Sequence, residues 1–120
     1  SALSGGDDVR TEINRFVERW RRAWSNQDVN RYLSFYSRNF VPENNMSYAR
    51  WSTLRKKRIH APQFIEVNIS DQQIAQYGDS KAYVTFDQKY RSEKFSDKVK
   101  KELILVKEYG EWRIIREHSF

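Results

Sequence analysis

The segment Ile13–Tyr36, INRFVERWRRAWSNQDVNRYLSFY, constrains the fold more than any other. Ile13, Phe16, Val17, Trp20 and Trp24 recur at helical spacing and make one apolar stripe, while Arg15, Glu18, Arg19, Arg21 and Arg22 fall on the face read as solvent. After the polar break Ser25–Asp28 the pattern restarts with Val29, Tyr32, Leu33 and Tyr36. The spacing predicts a helix of about sixteen residues, roughly 24 Å long, and then a shorter one. Two Trp and two Tyr on one stripe need a broad surface to cover, and a sheet supplies it.

The sheet is legible further on. From Phe64 the period changes to two, with Ile65, Val67 and Ile69 alternating against Glu66, Asn68 and Ser70 and an irregular continuation to Gln76. A turn at Tyr77–Ser80 leads into a long strand, Lys81–Arg91, whose Ala82, Val84, Phe86, Gln88 and Tyr90 share a face. Lys98–Tyr109 and Trp112–His118 read as two more strands around Gly110-Glu111. Between helices and sheet, the loop Asn39–Ser47 precedes a third helix, Tyr48–Arg58, which Ser47 can cap and Ala61-Pro62 ends. Asn26 or Asp28 can cap the second helix and Asp7 or Asp8 the first. The order predicts an α+β domain, three helices on one face of an antiparallel meander.

Length allows one domain of 120 residues with a proper core. Residues 9–120 form it, and 1–8 read as a flexible tail or linker. The opening SALSGGDD in place of Met fits a piece of a longer, exported protein. No apolar run approaches the roughly 18 residues of a membrane span. The absence of cysteine excludes disulfides, thiol catalysis and zinc–thiolate sites. The net charge of +6 is unevenly placed: residues 1–60 hold twelve Lys/Arg against six Asp/Glu, and residues 61–120 ten of each. An excess confined to the helices suits anionic or carboxylate-bearing partners, or simply a solvated basic surface.

Catalytic and cofactor signatures are missing. No GxGxxG, P-loop, HExxH or GxSxG occurs. His60 and His118 lack ligand spacing, so neither a metal nor another cofactor is expected. No carboxylate pair suggests hydrolysis, and Glu117 is the one acidic candidate for an enzyme role. Leu54–Arg58 (LRKKR) resembles a basic localisation patch, but on a helix its charges spread around the axis. Aromatics interleaved with Arg also suit single-stranded nucleic acid. The strands lack the Lys/Arg-Gly-aromatic run of RNA-recognition sheets, which makes nucleic acid the weakest partner class.

Three polar residues sit where the pattern asks for apolar ones. Gln88 continues the Ala82–Val84–Phe86 face, Lys101 shares a face with Leu103 and Leu105, and Arg55 follows Trp51 by one turn. Turned inward, each needs a partner or costs on the order of 1–3 kcal/mol. Such residues mark a wet pocket that orients a ligand, or strand ends emerging into solvent. Tyr36 and Trp51, near helix ends, are candidate walls of that pocket.

The helix–helix–helix–meander order over Val9–Glu117 resembles the nuclear-transport-factor-2-like, or ketosteroid-isomerase-like, superfamily with its cystatin-like fold. The residues that carry the resemblance are Trp20-x3-Trp24-x3-Asp28-x3-Tyr32-x3-Tyr36, Trp51-x3-Arg55, Phe86-x-Gln88-x-Tyr90, Lys101-x-Leu103-x-Leu105 and Gly110-Glu111-Trp112-Arg113-Ile114. The resemblance implies a cone, a strongly curved antiparallel sheet wrapped around the first helix with a pocket inside. The Trp51/Arg55 and Gln88/Tyr90 combination is similar to accessory domains of bacterial L,D-transpeptidase and L,D-carboxypeptidase envelope proteins, in which the catalytic cysteine lies in another domain. A periplasmic or cell-envelope setting is thereby implied. So is a non-catalytic role binding a peptidoglycan-derived peptide or other carboxylate through Tyr36, Trp51, Arg55, Gln88, Tyr90 and Lys101. In that assignment Arg55 and Lys101 pair with the carboxylate. Enzymes of the superfamily need an Asp or His–Asp pair in the cone, for which this chain has no clear equivalent. A homodimer through the outer sheet face, with Tyr83, Ile104, Val106 and Ile115, is the third reading.

Overall fold

A computed structural model describes the backbone of residues 5–120 and the side chains from Val9 onward. The elements follow the order α1 (Gly5–Ser25), α2 (Val29–Ser34), α3 (Tyr48–His60), β1 (Ile65–Tyr77), β2 (Lys81–Ser92), β3 (Ser96–Glu108) and β4 (Glu111–Ser119). Helix α1 has 21 residues, about 31 Å at 1.5 Å per residue. It is longer than expected because it is helical from Gly5. Residues 1–4 of the anticipated tail, and the side chains of Asp7 and Asp8 expected to cap α1, lie outside the described residues.

Local chemistry sets the helix boundaries. Asp28 caps α2 by accepting from the Arg31 amide, and Ser47 caps α3 by accepting from the Arg50 amide. Gln27 takes the left-handed conformation, φ 58°, between α1 and α2. Its side-chain amide donates to the carbonyls of Ile59 (2.9 Å) and Pro62 (2.7 Å). One residue therefore closes the α1–α2 break and also holds the end of α3, the helix that carries Arg55.

The four strands pair in sequence order as an antiparallel, curved sheet. Two irregularities shape it. In β1, Ser70 faces Asp87 and Gln73 faces Thr85, so Asp71 and Gln72 bulge, with Asp71 at φ 53°. In β4, Arg116 faces Ile104 but Ile114 faces Leu105, which leaves Ile115 as an extra residue. Bulges bend and twist a strand locally and reset which residues face inward.

Other elements dock on both sheet edges, on β1 at Val67. On the β1 edge, Val67 donates its amide to Ser25 Oγ (3.1 Å) and accepts at its carbonyl from Arg21 Nη1 (3.0 Å). Arg21 is therefore half-buried against the sheet rather than in the solvated row with Arg15 and Arg19. On the β4 edge, Ser37 and Val41 donate to the carbonyls of Ile114 and Ile115, and Ile114 donates to that of Phe35. The chain after α2 thus docks on the sheet and carries Tyr36 over its inner face. The core lies between α1 and this face. Trp20 is fully buried there with ring contacts to Trp24 (5.4 Å), Tyr32 (6.4 Å) and Phe86 (5.9 Å). No described helix is long and apolar enough to cross a membrane.

Candidate functional site

The strand period continues past the apolar core to polar side chains on the same inner face. On β2, Ala82, Val84 and Phe86 are followed by Gln88, which is 3% exposed. On β3, Leu105 and Leu103 are followed by Lys101, 6% exposed. The β4 bulge brings Glu117 inward opposite Leu103, although plain alternation from Trp112 and Ile114 would turn Arg116 and His118 inward. Arg55 descends from α3, its guanidinium carbon 5.2 Å from the Trp24 ring centre and 5.3 Å from that of Tyr32. At these distances both rings attract the cation.

Glu117 organises the charges. Lys101 Nζ donates to its Oε2 at 2.6 Å, and the Tyr36 hydroxyl donates to its Oε1 at 2.6 Å. Because the Tyr36 proton points at a carboxylate, the 2.8 Å contact between the Tyr32 and Tyr36 hydroxyls runs with Tyr32 as donor. Trp20 Nε1 also donates to the Tyr36 oxygen, at 3.2 Å. Burial pushes the Glu117 carboxyl up, but the Lys101 charge and the hydrogen bonds from Lys101 and Tyr36 outweigh it and hold it below its ordinary value. Burial, then the Glu117 charge, raises Tyr36 well above the ordinary tyrosine range. Burial opposes the charge on Arg55, yet Tyr32, Tyr36 and Glu117 more than offset that and raise its pKa. At neutral pH Arg55 is therefore cationic, Glu117 anionic and the two phenols neutral, with Lys101 ion-paired to Glu117.

Two polar atoms of this interior are buried without a hydrogen-bond partner among the described residues, Arg55 Nε and Gln88 Oε1. Both residues line one cavity of about 660 Å³, with Trp24, Tyr90, Lys101 and Phe95 among its other walls and Arg58, Lys94 and Asp97 at its exposed rim. An unmade buried hydrogen bond costs about 1–3 kcal/mol, and both atoms are shielded by the protein itself, with almost no surface open to the cavity. A second cavity of about 350 Å³ meets the first at Arg55, Arg58 and Ser119. Its walls include Tyr32, Phe40, Trp51 and Glu117.

Of the residues singled out from sequence, Arg55, Gln88, Tyr90 and Lys101 come together on the first cavity, and Trp51 lies on the second. Tyr36 lines neither. It is buried behind them, its ring 4.7 Å from Trp51 and its hydroxyl on Glu117. Lys101 was expected to offer its charge to a ligand, but Glu117 takes up that charge within the chain. Trp24 was read as core alone. It is also the wall on which Arg55 and Lys101 rest and the ring packed 5.7 Å from Tyr90. Among the described residues no group of three or more His, Asp or Glu could hold a metal ion. The convex sheet face carries Tyr83, Ile104, Val106 and Ile115, each half-buried, beside Thr85, Glu102 and Arg113.

Residues 12–118 match the family described as the Cds6 C-terminal NTF2-like domain. Bd1075 of Bdellovibrio bacteriovorus superposes with a TM-score of 0.84 at 33% identity, over 92% of this chain and 39% of that one. The helical cell shape determining protein Pgp2 of Campylobacter jejuni gives 0.84 at 20% identity, over 92% of this chain and 40% of that one. The chain thus spans about two fifths of either protein. An NTF2-like protein of unknown function from Pseudomonas putida shares the fold, with a TM-score of 0.77 at 14% identity over 91% of this chain and 83% of its own. No curated protein sequence matches the chain.

Proposed function

The chain belongs to the family of Cds6 C-terminal NTF2-like domains, and on that premise we propose that it is a non-catalytic ligand-binding module of a bacterial cell-envelope protein. Its cavity takes a carboxylate-bearing ligand of the kind released from, or displayed by, the peptide stems of peptidoglycan. The observation that carries this reading is Arg55, a cation with no carboxylate in salt-bridge contact among the described residues, on one cavity with Trp24, Gln88 and Tyr90.

The charge balance supports it. Lys101 and Glu117 neutralise each other, and Arg55 is left as the interior cation. A planar guanidinium pinned between two rings presents its donors in the fork geometry that suits a carboxylate. Gln88 and Tyr90 serve the amide groups beside that carboxylate, and Trp24 and Tyr90 pack on its carbon skeleton. Similarity to Pgp2, described as a cell shape determining protein, favours an envelope setting, since the wall gives a bacterium its shape. In this reading the domain docks a larger protein on its polymer in the periplasm or cell envelope.

The enzyme alternative is opposed by Glu117. A general base needs an available lone pair and a pKa near the working pH. Here Lys101 pairs with the carboxylate at 2.6 Å, and its pKa is lowered, away from neutral pH. Pairing through the convex face, where Tyr83 and Ile104 sit directly opposite each other, is compatible with ligand binding. A dimer by sedimentation would support it.

Calorimetric titration with a stem-peptide fragment tests the main reading. Arg55→Gln, which keeps a polar side chain in the wall, is expected to weaken binding by about tenfold or more. Unchanged affinity for every carboxylate fragment would remove Arg55 from the site.

A further inference from the structure

We propose that the groove between the N-terminal half of α1, α2 and the β3–β4 turn docks an extended acidic peptide segment of a partner protein. The groove shares no lining residue with the two cavities that meet at Arg55. The proposal therefore goes beyond the ligand reading above and does not depend on it.

The groove has a volume of about 450 Å³ and four arginines on its walls, Arg15 and Arg19 from α1, Arg31 from α2 and Arg113 from β4. Its two acids are already matched. Glu12 accepts from Lys107 Nζ at 3.1 Å and from Trp112 Nε1 at 3.0 Å, and Glu111 accepts from Arg113 at 3.2 Å. Glu18, which helical spacing would offer to Arg15, is held by Arg21 at 2.7 Å and Arg22 at 2.8 Å. Asp28, one turn before Arg31, is turned to the Arg31 amide. Arg15, Arg19 and Arg31 therefore form no ion pair among the described residues. Three exposed guanidiniums on one groove without a counter-charge give it a positive potential that an anion from outside can match.

Spacing selects the anion. Arg15 and Arg19 are four residues apart on α1, about 6 Å along the axis at 1.5 Å per residue. Side chains on one face of an extended peptide are two residues apart, roughly 6.6–6.8 Å at 3.3–3.4 Å per residue. Acidic residues at alternate positions of such a segment thus meet Arg15 and Arg19 nearly in register, and Arg31 adds a third cation from the α2 wall. Each guanidinium suits a carboxylate through its planar fork of donors. The aromatic floor offers little apolar area, since Phe16, Phe35 and Trp112 are only 3%, 8% and 5% exposed. The groove therefore recognises charge rather than an apolar anchor.

The test uses a short labelled peptide with glutamate at alternate positions and serine between, and its counterpart with glutamine in place of glutamate. Fluorescence anisotropy at low salt follows binding to the unaltered domain and to two variants. Arg15→Gln/Arg19→Gln/Arg31→Gln empties the groove of its unpaired cations. Arg50→Gln/Lys56→Gln/Lys57→Gln removes the same charge from exposed positions of α3. The glutamate peptide is expected to bind the unaltered domain and the glutamine peptide to fail. The groove variant should bind the glutamate peptide at least about tenfold more weakly, and the α3 variant within about twofold of the parent. Equal weakening in both variants would reduce the effect to net charge and overturn the proposal. No binding of the glutamate peptide to the unaltered domain would overturn it as well. Binding to phosphatidylglycerol vesicles that is lost in the groove variant, with no binding of the peptide, would assign the groove to a membrane surface instead.

Discussion

Lys101 and Glu117, on the paired strands β3 and β4, meet in an ion pair of 2.6 Å with side chains only 8% and 17% exposed. Breaking such a pair from one side strands a charge in a poorly solvated place, whereas replacing both partners by apolar groups does not. Lys101→Met should therefore cost about 3–5 kcal/mol of stability, and adding Glu117→Leu should recover most of the loss. Urea unfolding of the two variants measures this. A single variant as stable as the parent would show that the pair holds nothing.

The same pair predicts acid sensitivity. Glu117 binds its proton more weakly in the folded chain than at its ordinary value of 4.5, so the unfolded chain takes up the proton first as the pH drops. The contribution of Glu117 to stability is complete above that value and is lost as the pH falls through the lowered, folded pKa. Denaturation midpoints followed downwards from pH 6 should decline below about 4.5, and less so in the Lys101→Met/Glu117→Leu variant. Parallel profiles would assign the decline to other carboxylates.

Gln88 trades stability for recognition. Replacing its amide by leucine removes a buried acceptor that has no partner, and the domain without ligand should gain about 1 kcal/mol. A thermal melt of Gln88→Leu below that of the parent would mean that the amide is already satisfied within the protein.

The β3–β4 turn gives a test far from the cavity. Tyr109 and Gly110 are its two central residues, with φ 52° and 81°, the arrangement of a type I′ hairpin turn. Gly110 suits it, whereas Tyr109 is fully exposed and adopts a left-handed conformation that its side chain disfavours. Tyr109→Asn should raise stability by about 1 kcal/mol with no change in ligand affinity. A lower denaturation midpoint would mean that the aromatic ring contributes packing at the turn.

The helical stripe from Ile13 to Tyr36 and the two-residue period of Ile65–Ile69 and Ala82–Tyr90 were legible because burial of one face leaves a period in the chain. The cap at Ser47, and Asp28 as one of two candidates with Asn26, were legible for a local reason, since a short polar side chain satisfies an amide three residues on. Strand parity also placed Gln88 and Lys101 inward correctly. The inward turn of Glu117 was not legible. It depends on the extra residue Ile115 in β4, and a bulge leaves no mark in a pattern of apolar residues. With Glu117 hidden, Lys101 looked available to a ligand, and the role of Tyr36 as a donor to the carboxylate could not be seen. Trp24 was ambiguous for a different reason: a ring packed in the core and a ring under a guanidinium obey the same helical spacing.

The central claim is that the cavity around Arg55 and Gln88 holds a carboxylate ligand. An amide chemical-shift titration of the domain with peptidoglycan stem-peptide fragments tests it most directly. Saturable shifts at Trp24, Arg55, Gln88 and Tyr90, absent in Arg55→Gln, are the predicted result. No shifts at millimolar ligand, or shifts confined to the convex face around Tyr83 and Ile104, would contradict it.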